Sequence, residues 1–241
     1  MYLPALEDVS RFLSLIRPRR FGKSLLVSMM KVYYDQTEAE NFDKLFEGLW
    51  IHQHPTPLKN AFQVIYFDFS QIGGDVDKSS LDDNFNNYCG AVLDGFIKKY
   101  RNYYDDFTYQ KVLTSTNART KLHIINNEAQ LRDYQLYLII DEYDNFTNVI
   151  LSEEGKEVLQ KITHASGFYR DYFKIFKAMF NRVFLIGVSP VTLDDLSSGY
   201  NIDWNISQDP RFNALLGFSE PETEEMFRII RITVCSSRRW I

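Results

Sequence analysis

The chain has 241 residues, 45% of them hydrophobic, and a net charge of −5, which suits one large α/β domain with a full core. Basic and acidic residues are interspersed, so there is no global pull toward nucleic acid or an anionic membrane. The two cysteines, Cys89 and Cys235, have no metal-ligand spacing and argue against a disulfide framework. No apolar run approaches the roughly 20 residues that span a bilayer, and the N-terminus lacks the pattern of a signal peptide; the expected setting is the cytoplasm. Aromatic content of 15% implies a thick core rich in Phe and Tyr.

In chain order, residues 1–10 form a short N-terminal segment, and the first candidate strand is Arg11–Ile16 (RFLSLI). A helical pattern follows over Ser24–Tyr34. The second strand, Phe62–Ser70 (FQVIYFDFS), precedes a helix over Leu81–Tyr104, with Phe85, Tyr88, Val92, Leu93, Phe96 and Tyr100 at helical spacing. Asp105–Arg132 is polar and takes no clear assignment, as an insertion or an irregular connection would. The third strand, Leu136–Asp141 (LYLIID), is followed by helices over Glu153–Ala165 and Phe168–Arg182. The fourth is Val183–Val188 (VFLIGV), and Thr223–Ile230 reads as a further helix. Short branched or aromatic runs alternating with helices predict crossover units and a mostly parallel sheet with helices on both faces.

Arg17-Pro18-Arg19-Arg20-Phe21-Gly22-Lys23-Ser24 lies between the first strand and its helix. Its last three positions match a phosphate-binding loop, and Arg17 stands where that pattern has its first glycine. Backbone N–H groups over Phe21–Ser24 would face a β-phosphate at the positive end of the helix. Gly22 permits close approach, Lys23 bridges β- and γ-phosphates, Ser24 ligates Mg²⁺, and Arg19 or Arg20 can add phosphate contacts. Taken alone, the tripeptide reads better as a helix start with a solvated basic flank; its place after a buried strand shifts the balance toward a nucleotide. That basic flank could also meet nucleic-acid phosphates, but with Phe21 as its one interleaved aromatic, direct nucleic-acid binding has little support.

Leu136–Asn145 reads LYLIIDEYDN, so a buried strand ends in carboxylates that must be paired, hydrogen-bonded or metal-bound. Asp141 suits the metal and Glu142 the polarisation of an attacking water. Side chains alternate along a strand, so Glu142 must lie where the strand ends. A solvated loop or helix cap is the plain alternative for Asp141, Glu142 and Asp144. Two parts of one mechanism coincide after two separate strands, and that coincidence favours a nucleotide site. The fourth strand ends in Ser189, which could sense a γ-phosphate or position water; a Ser-Pro turn is the competing reading. Asp68 is expected to hydrogen-bond backbone at its strand end. His52 and His54, beside Pro55 and Pro57, read as a loop rather than a metal site, and His123 and His164 are isolated.

The strings RPRRFGKSLL, LIIDEYDN, FLIGVSPVTLDDLSSGYNI and DPRFNALLGF resemble the AAA-ATPase-like family of bacterial P-loop ATPases, which often carry a C-terminal nuclease-like domain of the PD-(D/E)XK type. The likeness runs from Arg11 to Phe227, and Arg17 at the first glycine position looks typical of the family. It implies an additional-strand P-loop fold with sheet order 5-1-4-3-2, and ATP and Mg²⁺ held by Lys23, Ser24, Asp141 and Glu142. No role carries over for Asp194, Asp195, Asp209, Arg211 or Asn213; Arg211 is expected to pair with a local carboxylate. The expected ATPase-like domain covers residues 11–219. Residues 220–241 read as the start of a truncated lid or C-terminal region, as if the reading frame ended early. The expected activity is binding of ATP-Mg with hydrolysis that drives or gates a partner, such as a nuclease-like domain or subunit. The alternatives are a nucleotide-binding regulatory module with negligible hydrolysis and a non-functional fragment. No guanine-reading motif is evident, which leaves ATP against GTP open.

Overall fold

The four apolar runs form strands whose side chains alternate between two buried faces. They are β1 (Phe12–Ile16), β2 (Phe62–Asp68), β3 (Gln135–Asp141) and β4 (Arg182–Gly187), joined by the two-residue β5 (Trp204–Asn205). The sheet order is β2-β3-β4-β1-β5, and every pairing is parallel. Read from the opposite edge this is 5-1-4-3-2, the expected P-loop arrangement. The computed structural model describes residues 2–72, 81–163, 167–189, 204–217, 222–226 and 228.

Helices packed around the sheet among the described residues are α1 (Tyr2–Val9), α2 (Lys23–Tyr34), α3 (Phe42–Phe46), α4 (Trp50–Gln53), α5 (Leu81–Lys99), α6 (Asp106–Thr114), α7 (Ala118–Leu131), α8 (Asn145–Glu153), α9 (Lys156–Thr163) and α10 (Phe168–Met179); residues 222–226, overlapping the helix expected over Thr223–Ile230, are helical too. One sheet face presents Ile65, Phe67, Leu138, Ile140, Val183 and Leu185 to the core built with α5, α7 and α10. The other presents Leu13, Leu15, Val64, Ile139, Phe184 and Ile186 to α1 and α2. This two-sided burial is what a parallel sheet requires, and it explains the near-continuous apolar runs. The core is as aromatic as composition suggested: rings of Phe69, Phe146, Phe168, Tyr169 and Tyr172 lie 4.8–5.7 Å from that of Phe85.

The stretch Asp105–Arg132 is regular after all. It forms α6 and α7, each started by a side-chain cap: Asp105 accepts from Thr108 N at 2.8 Å and Asn117 from Thr120 N at 3.2 Å. Polar outer faces hid an inner stripe of Val112, Leu122, Ile125 and Ala129, all buried. Of the helix expected over Glu153–Ala165, α9 forms Lys156–Thr163, and Gly155 at φ +85° separates it from α8, which ends on Glu153; residues 164–165 lie outside the described residues. The short N-terminal segment is helical and buries Leu3 and Leu6. Among the described residues no helix is long and apolar enough to cross a membrane.

The long helix α5 stops at Lys99 instead of Tyr104, and a 3-10 turn follows over Arg101–Tyr103. Tyr100 turns inward there. Its hydroxyl donates to Asp35 Oδ2 at 2.7 Å and accepts from Val64 N at 2.8 Å, while Lys99 also pairs with Asp35. One hydroxyl thus ties the end of α5 to β2 and to the end of α2. Tyr100→Phe leaves the buried Val64 N–H without its acceptor and takes one of two donors from Asp35 Oδ2, so urea denaturation should show a loss of about 1–3 kcal/mol; an unchanged midpoint would show that this network contributes nothing to stability.

Candidate functional site

In an all-parallel sheet the C-terminal ends of the strands share one edge, where ligands of open α/β folds bind. β1 runs there into the loop from Arg17 to Gly22, β3 ends on Asp141, and β4 ends at Gly187. β4 sits between β1 and β3, so two strand spacings, roughly 10 Å, separate the loop's root from the acidic strand's end.

The loop turns on two left-handed residues, Arg20 at φ +68° and Gly22 at φ +87°. Glycine takes that geometry freely and arginine does so at a cost. Gly22 is the N-cap of α2, so the first-turn N–H groups point outward beside the loop. Lys23 is charged yet only 6% exposed, and its Nζ donates to the carbonyls of Arg17 (3.3 Å) and Pro18 (3.1 Å). Ser24 is exposed in the same turn, as are Arg19, Arg20 and Phe21 on the loop.

Arg17, the residue in place of a first glycine, is a staple. Its guanidinium donates to the carbonyls of Ile16 (3.0 Å), Ser207 (2.8 Å) and Phe212 (3.1 Å), and Ile16 N donates to Ser207 Oγ at 2.7 Å. The loop's root is thereby bonded to the segment after β5. Only the guanidinium's planar fan of donors reaches three carbonyls at once.

At the acidic end, strand geometry stops at Asp141, and Glu142 takes φ +50°, the break that alternation demanded if both carboxylates are to serve one site. Asp141 Oδ1 accepts from Glu142 N at 2.9 Å. Burial pushes its carboxyl up to about 6, the charges of Asp68 and Glu142 push the same way, and the Glu142 N–H and Lys23 pull it down. Asp68 is Asp141's partner in the β2–β3 register. It binds Ser70 N (3.1 Å) as expected, and adds repulsion beside Asp141.

The next two residues clasp β4. Asp144 is buried and accepts from Val188 N (3.1 Å) and Ser189 N (2.7 Å). Tyr143 donates from its hydroxyl to Ser189 O at 2.9 Å, and its own carbonyl accepts from Tyr169 at 2.6 Å. Gly187 makes room: a Cβ there would stand 2.3 Å from Asp144 Oδ1 and 2.6 Å from the Tyr143 ring. Asp144 is therefore neither a solvated loop residue nor a side-chain helix cap; it fixes the backbone at Ser189.

Lys23, Ser24, Asp141, Glu142 and Ser189 therefore share one sheet edge. Arg211 does not join them: Asp209 holds its guanidinium through Nε (3.0 and 3.1 Å) and Nη2 (2.6 Å), the local pairing expected of it. His52 lies 3.1 Å from Asp43, and His54 stacks on Trp50, both on or beside the short helix α4 rather than in a plain loop. Among the described residues no cluster of three or more His, Cys, Asp or Glu could hold a metal ion. Asp194, Asp195, His164 and Cys235 lie outside the described residues. The Arg17 staple and the Asp144 clasp escaped the sequence reading. Gly187, between an apolar run and Val-Ser-Pro, was the one local sign of the clasp.

A carboxyl whose folded value lies above its ordinary one favours the fold only while protonated, below pH 3.8. That contribution is lost as pH rises toward 6, and at neutral pH the ionised group is a penalty. Asp141→Asn should raise stability at pH 7.5 by on the order of 1–2 kcal/mol after allowance for solvent screening. The gain should shrink as pH falls toward 4. Urea denaturation at the two pH values checks this, and an equal change at both would contradict the assignment of the penalty to Asp141.

The model of the AAA-ATPase-like family, described as predicted AAA-ATPase, matches residues 1–197. The chain is also 25% identical over 215 residues to a protein described as uncharacterized, from the vnfD 5′ region of Azotobacter chroococcum mcd 1. That alignment covers 88% of this chain and 37% of the relative's length. No solved structure matches. With the loop and the acidic strand on one edge of a 5-1-4-3-2 sheet, and the family model covering most of its length, the chain belongs to the AAA-ATPase-like family.

Proposed function

We propose that this chain binds ATP with Mg²⁺ at the edge formed by the Arg17–Ser24 loop, Asp141–Glu142 and Ser189, and hydrolyses it to drive or gate a partner. The observation that carries the reading is the common edge itself: a helix N-terminus with a buried lysine stands across β4 from a buried carboxyl pushed up to about 6. An acid that is costly to ionise gains most from a cation beside it. Mg²⁺ takes one or two protein oxygens together with phosphate oxygens and water, so the hydroxyl of Ser24 and the carboxylate of Asp141 suffice as protein donors. When bound, the metal neutralises charge on the β- and γ-phosphates.

The remaining roles belong to the chain. Lys23 exchanges its bonds to two loop carbonyls for phosphate oxygens, and loop N–H groups, with Arg19 and Arg20 flanking, hold the rest of the phosphate charge. Glu142, set off the strand by its left-handed backbone, takes a proton from the water that attacks the γ-phosphorus. The bond to the β-phosphate oxygen breaks and ADP departs. Ser189, its backbone held by Asp144 and Tyr143, orients that water. A chain that spans 37% of its relative's length suits a motor or switch acting on other parts of a larger protein, such as a nuclease-like domain.

A second reading, a nucleotide-dependent switch with very slow turnover, is favoured by the commitment of Arg211 to Asp209, which withholds a cation that could otherwise stabilise the departing charge. Equilibrium binding measured beside phosphate release separates the two. Lys23→Ala should weaken ATP-Mg binding by about 100-fold or more, while Glu142→Gln should keep binding and lower turnover by about 10²–10³-fold. Unchanged ATP affinity in Lys23→Ala would end both readings, and binding without release in the wild type would select the switch.

A further inference from the structure

We propose that the edge of the sheet opposite the Arg17–Ser24 loop docks an extended segment of a partner protein, one with a cationic and an acidic side chain about three residues apart. Parallel strands that share a C-terminal edge also share an N-terminal one. On that edge β3, β4 and β1 start side by side, at Gln135, Arg182 and Phe12. A trough crosses these starts. A cavity of about 220 Å³ borders Gln135 and Leu136 of β3, and one of about 430 Å³ borders Phe12 of β1. Gln130 and Met179, with Asn181 just before β4, line both, so the two are continuous. The larger alone has the volume of a ligand site.

Charge is divided along the trough. Asp133 lines only the cavity at β3, and Arg11 and Lys177 line only the one at β1. Among the described residues none of these side chains is in a salt bridge. The starts of β3 and β1 lie two strand spacings apart, roughly 10 Å, and an extended chain advances about 3.3 Å per residue. A segment lying across the trough therefore meets opposite charges about three residues apart. Its own side chains must carry the reverse, a cation toward Asp133 and a carboxylate toward Arg11 and Lys177.

Amides lie between the charged ends. Asn181 Oδ1 accepts from Leu136 N at 2.7 Å, which leaves its NH₂ as a fixed donor in the stretch common to both cavities. Asn126 of α7 lines the β3 end. Only 9% of it is exposed, and among the described residues its side-chain amide has no hydrogen-bond partner. A buried amide left unpaired is costly. It needs an acceptor and a donor together, which each peptide unit of an extended chain supplies. Leu131, beside Gln130 at the end of α7, is 79% exposed, the most of any large apolar side chain among the described residues, and gives an apolar residue of the partner a place to pack. A small anion would be served by the β1 end alone. Opposite charges at the two ends, with amides between them, fit a chain. The trough is on the far edge from the proposed nucleotide site, so this inference does not rest on that reading.

The test is selection of a displayed library of random peptides on the full chain. Fluorescence anisotropy then measures the enriched peptides on wild type, Lys177→Glu and Asp133→Lys, with thermal melts to confirm folding. Enriched peptides should share a Lys or Arg and an Asp or Glu about three residues apart. Each variant should weaken their binding by about fivefold or more. On Asp133→Lys, a peptide whose cation is replaced by Glu should bind more tightly than the original, a recovery that a merely structural role would not produce. Should Lys177→Glu melt without a cooperative transition, Arg11→Glu, an exposed position, carries the same expectation. Selection without a shared charge pattern, or enriched peptides that bind the folded variants as tightly as wild type, overturns the docking site. A chain that sediments as a dimer and becomes monomeric in Lys177→Glu or Arg11→Glu has a second copy of itself in the trough, and the partner segment is overturned.

Discussion

The parallel register of β2, β3, β4 and β1 is the constraint on which every other feature depends. Parallel strands cannot be joined by tight turns, so each must be followed by a crossing segment, and every crossing begins at the same edge. Chemistry-bearing residues placed just after each strand are thus brought together by the sheet alone. Lys23 and Asp141 are more than a hundred positions apart in the chain, yet only β4 lies between their strands. The same register sets Asp68 opposite Asp141, so the sheet that assembles the site also raises the cost of ionising its central carboxyl.

Two clasps convert that rough convergence into fixed geometry. Strand ends are where backbone pairing stops, and unpaired N–H and C=O groups there need partners. Asp144 and Tyr143 supply them for Val188 and Ser189, tying the acidic strand to the end of its neighbour. Arg17 does the same for Ile16, Ser207 and Phe212 on the other side of the sheet. In both cases a charged side chain lies over the sheet edge and binds main-chain groups from another segment. Such bonds are strong because the charge is partly buried and its partners are rigid. A glycine at position 17 would provide loop flexibility but none of this bridging, which gives a physical reason for the arginine.

Strain lies where the chemistry is proposed. Of the four non-glycine residues with left-handed backbone among the described residues, Asn60 and Asp133 are types that tolerate it, whereas Arg20 and Glu142 are not, and these two lie on the loop and at the acidic strand's end. Holding them there draws on the stability of the packed elements around them. The aromatic core on the α5–α10 side and the Asp35–Tyr100–Lys99 network are the packed elements that supply it.

Local chemistry made much of this protein legible before any fold was known. Four strands were visible because burial on both faces demands continuous apolar runs, and α2 because glycine, lysine and serine announce a helix start. The placement of Glu142 beyond the strand followed from alternation alone. Helices α6 and α7 were obscured because their outward faces are polar and their buried stripe is thin, although Asp105 and Asn117 stood in capping positions. What residue order could not reveal depends on contacts between distant segments: the reach of Arg17 to Ser207 and Phe212, the fit of Asp144 over Gly187, and the close approach of Gly217 to Phe21. Sequence determines the period and the polarity of each element, because those are set by a residue's own neighbours. Which side chains meet across the sheet edge was decided by tertiary structure, because strand order and parallel register, not chain distance, determine which ends lie side by side.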